Sequence, residues 1–176
     1  MKPIQLRELL PTDEIQFELA LNEPWESDFI FAHYFESLAE NTFKKYVSIL
    51  PDIKEGLHIP DGHVPSTVLF AFNDAGKIVG RVSIRHQLSE QLINIGGHVG
   101  YGVTPSERRK GYATEILKLT VCYLKDTHPE LDRILLTCDE TNVGSIKTIE
   151  SNGGEMENVF KTPQMTIGKR RYWINL

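Results

Sequence analysis

The turn between a strand and a helix near the middle of the chain constrains its fold more than any other segment. An apolar stretch ends at Val103, and a proline-broken turn, a basic run and an amphipathic helix follow it. A strand-to-helix turn of this kind directs unpaired backbone N–H groups and the positive end of a helix dipole to one point. The basic run adds charge and a residue without a Cβ, in Arg108, Arg109, Lys110 and Gly111. The segment therefore predicts a site for an anion, and a pyrophosphate suits it.

Short apolar or alternating stretches on both sides of this turn predict strands, because turn residues separate them at close intervals. The stretch Ile95–Val103 is rich in glycine, and the stretch Arg133–Cys138 is of the fully buried type. The predicted strands are Ile4–Leu10, Val68–Phe72, Lys77–Arg85, Ile95–Val103, Arg133–Cys138 and a last hairpin within Val159–Leu176.

Helices are predicted where apolar residues return with a helical period. The clearest is Ala113–Lys125, in which residues at i, i+3, i+4, i+7, i+8 and i+11 form one stripe. Thr12 is the predicted N-cap of the first helix, and a glycine pair ends the last one. The other predicted helical segments are Thr12–Leu21, Ser27–Leu50 with a break near Asn41, and Val143 to the pair Gly153 and Gly154.

The remaining connections are predicted to be loops. Pro51–Ser66 is rich in proline and glycine and is long enough to be functional, and Gln87–Asn94 is a looser connection. Strands and helices in this order predict one α+β domain over residues 1–176, of the three-layer α/β type, with a partly antiparallel sheet.

Composition narrows the class of protein. The chain has 176 residues, a net charge of −5 and 40% hydrophobic residues, which is typical of one globular domain. No apolar run approaches the ~20 residues that span a bilayer, and the first residues lack the apolar core of a signal peptide. Cys122 and Cys138 have neither metal-site nor disulfide spacing. We therefore expect a cytoplasmic protein with no metal, no membrane and no nucleic acid as partners.

Two common phosphate loops do not fit the basic turn. A Walker A loop needs G-x-x-x-x-G-K-[ST], but Lys110 precedes Gly111 here. A dinucleotide fingerprint needs G-x-G-x-x-G at the start of a helix, whereas Gly100 and Gly102 lie within the predicted strand. A module that binds ATP or NAD through this turn is therefore disfavoured.

A third pattern, [QR]-x-x-G-x-[GA] between a strand and a helix, fits the segment Arg108–Ala113. This segment resembles the acyl-CoA-binding motif of the GNAT superfamily of N-acyltransferases. The segment Asn142–Gly154 resembles the second cofactor element of the same family, N-x-x-[SA]-x-x-x-[YF]-E-x-x-G-F. Its asparagine, serine, glutamate and first glycine match at the right spacing. Together the two motifs and the elements around them cover Ile95–Gly154.

The resemblance implies a GNAT-like fold, a mixed and partly antiparallel sheet with flanking helices and a splayed central pair of strands. Acetyl-CoA would lie where the strands Ile95–Val103 and Arg133–Cys138 separate. Backbone amides of the basic turn would hold its pyrophosphate, and main-chain groups of the first strand would pair with its pantetheine arm and polarise the thioester carbonyl. The cofactor-binding residues that the resemblance implies are Tyr101, Val103, Arg108, Arg109, Lys110, Gly111, Tyr112, Ala113, Thr114, Asn142 and Ser145.

The resemblance also implies a reaction, the direct attack of an amine on the thioester. An alkylamine is mostly protonated at pH 7, so a base must take its proton, directly or through water. His98 is the first candidate for this base, and Asp139 and Glu140 are the next. Each has a structural alternative, which is a hydrogen bond within the sheet for His98 and a solvated turn for the two carboxylates.

The residue that protonates the leaving thiolate is open at this point. Many family members carry a tyrosine acid at the position that is Ile149 in this chain. The proton must then come from Cys138 or water, or from a tyrosine elsewhere, unless catalysis proceeds without that help. The tyrosines considered are Tyr34, Tyr46 and Tyr172.

Two functions from different classes follow. The first is an N-acetyltransferase that moves an acetyl group from acetyl-CoA to a primary amine of a small molecule or peptide. The second, which Ile149 motivates, is a non-catalytic acyl-CoA-binding or regulatory domain. The resemblance makes a homodimer reasonable.

The acceptor is expected to contact the N-terminal helices and the Pro51–Ser66 loop. Acidic residues there, Asp52, Glu55 and Asp61, could attract a cationic amine. A polyamine, an antibiotic amine and a protein N-terminus all stay open as acceptors.

Overall fold

The computed structural model describes residues 3–26, 29–35, 38 and 40–176. In chain order the strands of this part are β1 (Ile4–Arg7), β2 (Ser66–Asn73), β3 (Ile78–Arg85), β4 (Val99–Val103), β5 (Arg133–Asp139), β6 (Glu155–Phe160) and β7 (Lys169–Asn175). They form a four-stranded antiparallel sheet in the order β1-β2-β3-β4 and a three-stranded antiparallel sheet in the order β5-β7-β6.

Helices cover both sides of the larger sheet, which confirms the predicted mixed α+β class. Short 3-10 turns, Pro11–Asp13 and Pro105–Glu107, precede the first and the longest helix. The helices of the described residues are α1 (Glu14–Leu21), α2 (Phe43–Glu55), α3 (Glu90–Asn94), α4 (Tyr112–Thr127) and α5 (Val143–Glu150).

The strand β2 shows why the fold has three layers. Every residue from Ser66 to Phe72 is buried, and a strand buried on both faces needs cover on both. Leu69 belongs to a largely aliphatic core beneath α4, whereas the next residue, Phe70, belongs to an aromatic core around Phe17. The alternation of a strand thus divides the apolar residues between two cores, one on each face of the sheet.

The two sheets meet at a short joint between β4 and β5. An isolated bridge pairs Gly97 with Leu136, and the His98 N–H donates to the Leu135 carbonyl oxygen at 2.7 Å. Beyond this joint β4 pairs with β3, and no strand of the described chain covers its other edge. The two strands therefore separate, as the family resemblance implied.

The helix predicted over Ser27–Leu50 is wrong in its first half. Ser27 itself lies outside the described residues, and Phe29–Phe35 form bends and turns instead of a helix. The apolar residues here are buried for another reason, because Phe31 packs into the aromatic core against Phe17. The helix α2 begins only at Phe43, after the predicted break near Asn41.

Pro51 does not end α2, contrary to the prediction of a loop over Pro51–Ser66. The helix runs on to Glu55 because Ile53 is buried, and the Leu57 N–H closes its end by donating to the Asp52 carbonyl oxygen at 2.8 Å. Asp52 and Glu55 therefore lie on a helix, and the loop that remains is shorter.

Other element ends also differ from the prediction. β1 ends at Arg7, whose guanidinium holds the Asp13 carboxylate at 2.6 Å and so starts the 3-10 turn. Thr12 lies inside that turn and is not a helix N-cap. The connection Gln87–Asn94 contains the short helix α3, and β4 begins at Val99.

We predict that a Cβ at Gly97 breaks the joint between the sheets. Gly97 has a φ of 64°, and an added Cβ would overlap the Leu135 carbonyl oxygen. Gly97→Ala should lower the free energy of unfolding by about 3 kcal/mol or more, of which about 1–2 kcal/mol reflects the left-handed backbone. Urea denaturation measures this loss.

The matched control is Gly76→Ala. Gly76 has a φ of 73° and no heavy atom within 4 Å of an added Cβ, so this variant should show the backbone part alone. Equal losses of unfolding free energy in the two variants would contradict a role for the joint.

Candidate active site

A cleft opens where β4 and β5 separate. Its volume of about 620 Å³ lies within the range of about 300–1,000 Å³ that is typical of ligand pockets. Of the cofactor-binding residues that the resemblance implied, all but Lys110 line it. The described lining residues are Trp25, Glu26, Phe29, Tyr101, Gly102, Val103, Glu107, Arg108, Arg109, Gly111, Tyr112, Ala113, Thr114, Asn142, Gly144, Ser145 and Thr148.

Backbone N–H groups of the basic turn are exposed to this cleft. From Arg109 to Thr114, no amide hydrogen bonds to another described residue, as expected where a turn enters a helix. Left-handed backbone at Arg109 (φ 61°) and Gly111 (φ 86°) is typical of the concave nests that bind anions. A Cβ on Gly111 would meet no protein atom within 4 Å, so this glycine faces open space.

Most side-chain charges of the turn are paired within the protein. The Arg108 guanidinium forms a two-pronged ion pair with Glu26, and this hydrogen bonding lowers the pKa of Glu26 to about 2. The Lys110 ammonium lies 2.8 Å from Glu107, so its side chain holds the 3-10 turn and does not reach the cleft. Arg109 makes no ion pair with any described residue, and its charge is available to a ligand.

The free edge of β4 supplies a second row of backbone groups. The Thr104 N–H and the His98 carbonyl oxygen both bond to β3. Because main-chain groups alternate along a strand, those of Tyr101 and Val103 point to the open side. The Arg108 Nε donates to the Val103 carbonyl oxygen at 3.4 Å, which agrees with this direction.

The start of α5 forms the facing wall. Asn142 caps this helix, since its side-chain oxygen accepts the Ser145 N–H at 3.0 Å, and both residues line the cleft. One turn later, Ile149 is 1% exposed and packs against Gly154. The position that carries a tyrosine in many family members therefore offers no polar group to the cleft.

His98, the first candidate for the general base, is not among the residues that line the cleft. Its Nδ1 accepts the backbone N–H of Leu135 at 2.9 Å, so the neutral ring carries its proton on Nε2 and has no free lone pair. Burial, with a smaller effect of the Arg85 charge, lowers the pKa of His98 to about 4. The geometry favours the structural alternative, a histidine that hydrogen bonds within the sheet.

Asp139 and Glu140, the next candidates, are held by ion pairs and do not line the cleft. Asp139 pairs with Lys169. Glu140 accepts the Gly168 N–H at 2.9 Å, which is the main cause of its lowered pKa, and lies 3.6 Å from Lys161. Paired carboxylates of this kind are poor proton acceptors.

Tyr101 lines the cleft, and its phenol is a polar group to which sequence reasoning gave no role, because it assigned a role only to the main chain of this residue. The hydroxyl is buried and makes no hydrogen bond of normal geometry to a described residue, although Ser145 and Thr148 lie beside it. Burial raises the pKa of Tyr101 to about 12. Strand alternation was the available signal, since it places Tyr101 on the face opposite Gly100 and Gly102.

The other proton donors considered do not line the cleft. Tyr34 lines a separate cavity, Tyr46 is buried in the aromatic core, and the Tyr172 hydroxyl donates to Glu150. Burial raises the pKa of the Cys138 thiol to about 11, so this thiol stays protonated, but Cys138 is not among the residues that line the cleft.

The splayed strands and the turn with unpaired amides are the arrangement that the resemblance to GNAT acyltransferases implied, and a comparison with protein families agrees. The model of the acetyltransferase (GNAT) domain matches residues 6–155. The chain therefore belongs to the GNAT acetyltransferase family, a family of enzymes that use acetyl-CoA as donor. No curated protein sequence matches the chain.

Solved structures support the fold. The ribosomal-protein-S5-alanine acetyltransferase of Vibrio fischeri superposes with a TM-score of 0.65 at 18% identity, over 99% of this chain and 94% of that one. A GNAT-family acetyltransferase of Bacillus anthracis gives 0.63 at 18% identity, over 99% and 96%. Mutant forms of the spermidine/spermine N-acetyltransferase of Vibrio cholerae give 0.59 at 17% identity, over 98% and 95%.

The described residues contain no group of three or more His, Cys, Asp and Glu side chains placed to hold a metal ion. Nor do they contain a helix with the length and apolar character needed to cross a membrane.

We predict that His98 makes the protein sensitive to acid. In the unfolded chain a histidine binds a proton near pH 6.5, whereas native His98 does so only near pH 4. The native state therefore loses stability as pH falls from 6.5 to 4, by about 2–3 kcal/mol. His98→Asn keeps an acceptor for the Leu135 N–H and should reduce the total loss between pH 7 and pH 4 by this amount, as measured by urea denaturation, while the part from other buried groups stays.

The control is His58→Asn, which removes an exposed imidazole at a left-handed position that asparagine tolerates. This variant should keep the acid sensitivity of the unmodified protein. An unchanged acid sensitivity in His98→Asn would show that His98 is not its source.

Proposed function

We propose that this chain is an N-acetyltransferase that moves the acetyl group of acetyl-CoA to a primary amine by direct attack. The observation that carries the proposal is the row of unpaired amides from Arg109 to Thr114, which faces a cleft beside an unpaired strand edge. Amides at a helix start suit a pyrophosphate, and an unpaired strand edge suits the peptide-like pantetheine arm. In coenzyme A the pyrophosphate is joined to the pantetheine arm, just as the helix start adjoins the unpaired strand edge in this cleft.

The proposed binding roles follow from position. The amides at the start of α4, with the Arg109 charge, hold the pyrophosphate. The main-chain groups of Tyr101 and Val103 pair with the pantetheine arm, and an N–H of this edge stabilises the oxyanion that forms on the thioester carbonyl. Asn142 and Ser145 contact the arm from the facing wall.

In the proposed reaction the neutral amine nitrogen attacks the thioester carbonyl carbon, and the C–S bond breaks to give the CoA thiolate and an amide whose nitrogen has one proton to lose. We assign protonation of that thiolate to the Tyr101 hydroxyl, and the proton that the nitrogen releases returns through water to the Tyr101 oxygen. This hydroxyl reaches from β4 to Thr148 of α5, the neighbour of Ile149, at which many family members carry their tyrosine. A pKa of about 12 keeps this phenol protonated over the working range of pH.

The amine must lose a proton before it attacks. The carboxylates among the described cleft residues are Glu26 and Glu107, and both are ion-paired with cations of the protein. We therefore propose that the amine releases its proton to water and enters the site neutral.

The alternative of a non-catalytic acyl-CoA-binding domain depends on Ile149 alone. Membership of an enzyme family and the Tyr101 hydroxyl next to that position both favour the enzyme. The deciding experiment is to incubate the protein with acetyl-CoA and a broad panel of amines and to follow the release of free thiol. Tight acetyl-CoA binding without amine-dependent thiol release would favour the non-catalytic domain.

The acceptor, the assembly and the location are also proposals. Solved proteins with this fold include an acetyltransferase for a ribosomal-protein alanine and one for spermidine, so a peptide amine and a small-molecule amine both have precedent. One spermidine N-acetyltransferase structure is dodecameric. We propose a cytoplasmic enzyme that acts on a small-molecule or peptide amine and forms at least a homodimer.

We predict that Gly111→Asp weakens acetyl-CoA binding by about tenfold or more, which is about 1.4 kcal/mol. Aspartate tolerates the left-handed backbone of this position, but its carboxylate would stand in open cleft space and repel the pyrophosphate. Isothermal titration calorimetry measures the affinity. Gly111→Asn, which adds similar bulk without charge, should lose less.

Gly153→Asp is the matched control for the same titration. Gly153 has a φ of 83° and no heavy atom within 4 Å of an added Cβ, but it does not line the cleft. The Gly153→Asp variant should bind acetyl-CoA with the same affinity as the unmodified protein. If Gly111→Asp also binds normally, the pyrophosphate does not lie at this turn.

We predict that Tyr101→Phe lowers kcat by about 10²-fold while the Kd for acetyl-CoA stays unchanged, because only the proposed proton donor is lost. Thiol release gives kcat, and calorimetry gives the Kd. Tyr123→Phe, on the far part of α4, is the control and should leave both values unchanged. A normal kcat for Tyr101→Phe would show that water, and not Tyr101, protonates the thiolate.

A further inference from the structure

A second cavity, of about 170 Å³, lies beside the cleft. It is smaller than the pockets of about 300–1,000 Å³ that hold whole ligands, so it suits one chemical group of a larger ligand. Ser83 and Arg85 of β3 form part of its wall, and the imidazoles of His33 and His63 form another part.

The charge of this cavity is positive and is not neutralised by any described residue. The Arg85 Nη1 donates to the carbonyl oxygens of Gly96 and Gly97 at 3.2 and 3.1 Å, and its guanidinium forms no ion pair with the described part of the chain. No described Asp or Glu lines the cavity. A largely buried cation without a carboxylate partner lowers the stability of the folded state. Unpaired cations of this kind are typical of sites that bind an anion.

A second guanidinium strengthens the positive field. Arg81 shares its face of β3 with Arg85, is 2% exposed and donates to the Ile30 carbonyl oxygen. Its guanidinium lies 4.7 Å from the centre of the Phe29 ring, and it too forms no ion pair with a described residue. Arg85 therefore places a positive charge in the cavity wall, and Arg81 places a second one behind that wall.

Two residues of the cavity wall, Ser83 and Arg85, lie next to β4, the strand that lines the cleft. Ser83 is the register partner of Gly100, and the Arg85 Nη2 lies 3.5 Å from the point that a Cβ on Gly100 would occupy. The next residues along the strand, Tyr101 and Gly102, already line the cleft. A group bound at Arg85 thus lies next to Gly100, two residues along the same face of the strand from Gly102, which lines the cleft.

The cavity disfavours a second cation. The pKa of His33, on its wall, is lowered to about 3, mainly by burial and then by the charges of Arg81 and Arg85. The acidic residues expected to attract a cationic amine, Asp52, Glu55 and Asp61, do not line it. A polyamine end would therefore meet repulsion here.

We propose that this cavity binds a carboxylate of the acceptor, with Arg85 as its main partner and the Ser83 hydroxyl beside it. The inference rests on the proposed acetyltransferase activity and names its acceptor as an amine that carries a carboxylate a few bonds from the nitrogen. The nitrogen of that amine, neutral after its proton has gone to water, then attacks the thioester carbon and displaces the CoA thiolate.

The experiment compares matched amines by the kcat/KM for thiol release. The panel contains ω-amino acids with chains of about two to six carbons, their amides, the alkylamines of equal length, aminoalkyl phosphates and spermidine. The best amino acid should exceed its own amide and its alkylamine by about tenfold or more, because a site built for an anion rejects analogues that lack it. Arg85→Gln should remove this preference and leave the Kd for acetyl-CoA unchanged.

Further variants and outcomes make the test decisive. Gln91→Glu adds a carboxylate at the same wall without touching the bonds of Arg85 and should weaken the preference several-fold, whereas Lys118→Gln, an exposed change on α4, should keep it. A preference for spermidine, for amides or for phosphates, or a carboxylate preference that survives Arg85→Gln, would overturn the proposal. Those results leave acetyl transfer intact, whereas the loss of all acetyl-CoA binding and thiol release in the unmodified protein would remove the proposed function itself.

Discussion

The unpaired edge of β4 is the constraint on which the rest of the site depends. Backbone groups at a strand edge need partners, and here β5 leaves after the contact between Gly97 and Leu136. Both strands then run into helices, so the starts of α4 and α5 stand on opposite walls of the same opening. One divergence of two strands thus brings together a free strand edge and two helix N-termini, whose N–H groups and dipoles all favour a ligand rich in acceptor oxygens.

Local patterns predicted the parts of this arrangement that local forces decide. The apolar stripe of α4, the basic turn and the capping asparagine of α5 were readable because spacing along the chain determines them. The segment Phe29–Phe35 was not readable, since its apolar residues serve the aromatic core without a helical period. The role of His98 also required non-local information, because the group that occupies its Nδ1 is the Leu135 N–H of another sheet. The alternation of a strand predicts on which face of the sheet a side chain lies, but it does not predict the hydrogen-bond partner of that side chain.

The basic run is a sign of the anion site more than its cause. Arg108 and Lys110 are paired with Glu26 and Glu107, and these pairs are exposed enough to contribute little to stability. Their structural effect is to tie the turn to the Glu26 segment and to its own 3-10 turn. The backbone amides and the helix dipole, together with Arg109, then supply most of the fixed positive potential of the proposed anion site. A sequence scan for basic residues thus finds the proposed site through two side chains, Arg108 and Lys110, whose charges are paired within the protein.

The ionisable groups around β4 are kept neutral where they would otherwise compete with the reactants. Burial raises the pKa of Tyr101 to about 12, so the phenol keeps its proton. Burial also lowers the pKa of His33 to about 3, so this imidazole stays neutral. The arginines on β3 retain their charge, because the guanidinium keeps its proton even at substantial desolvation cost. A site of this kind can discriminate by charge without a titrating base. An anionic group of the acceptor held at Arg85 would then select the substrate, while the neutral nitrogen that direct attack requires forms by loss of a proton to water.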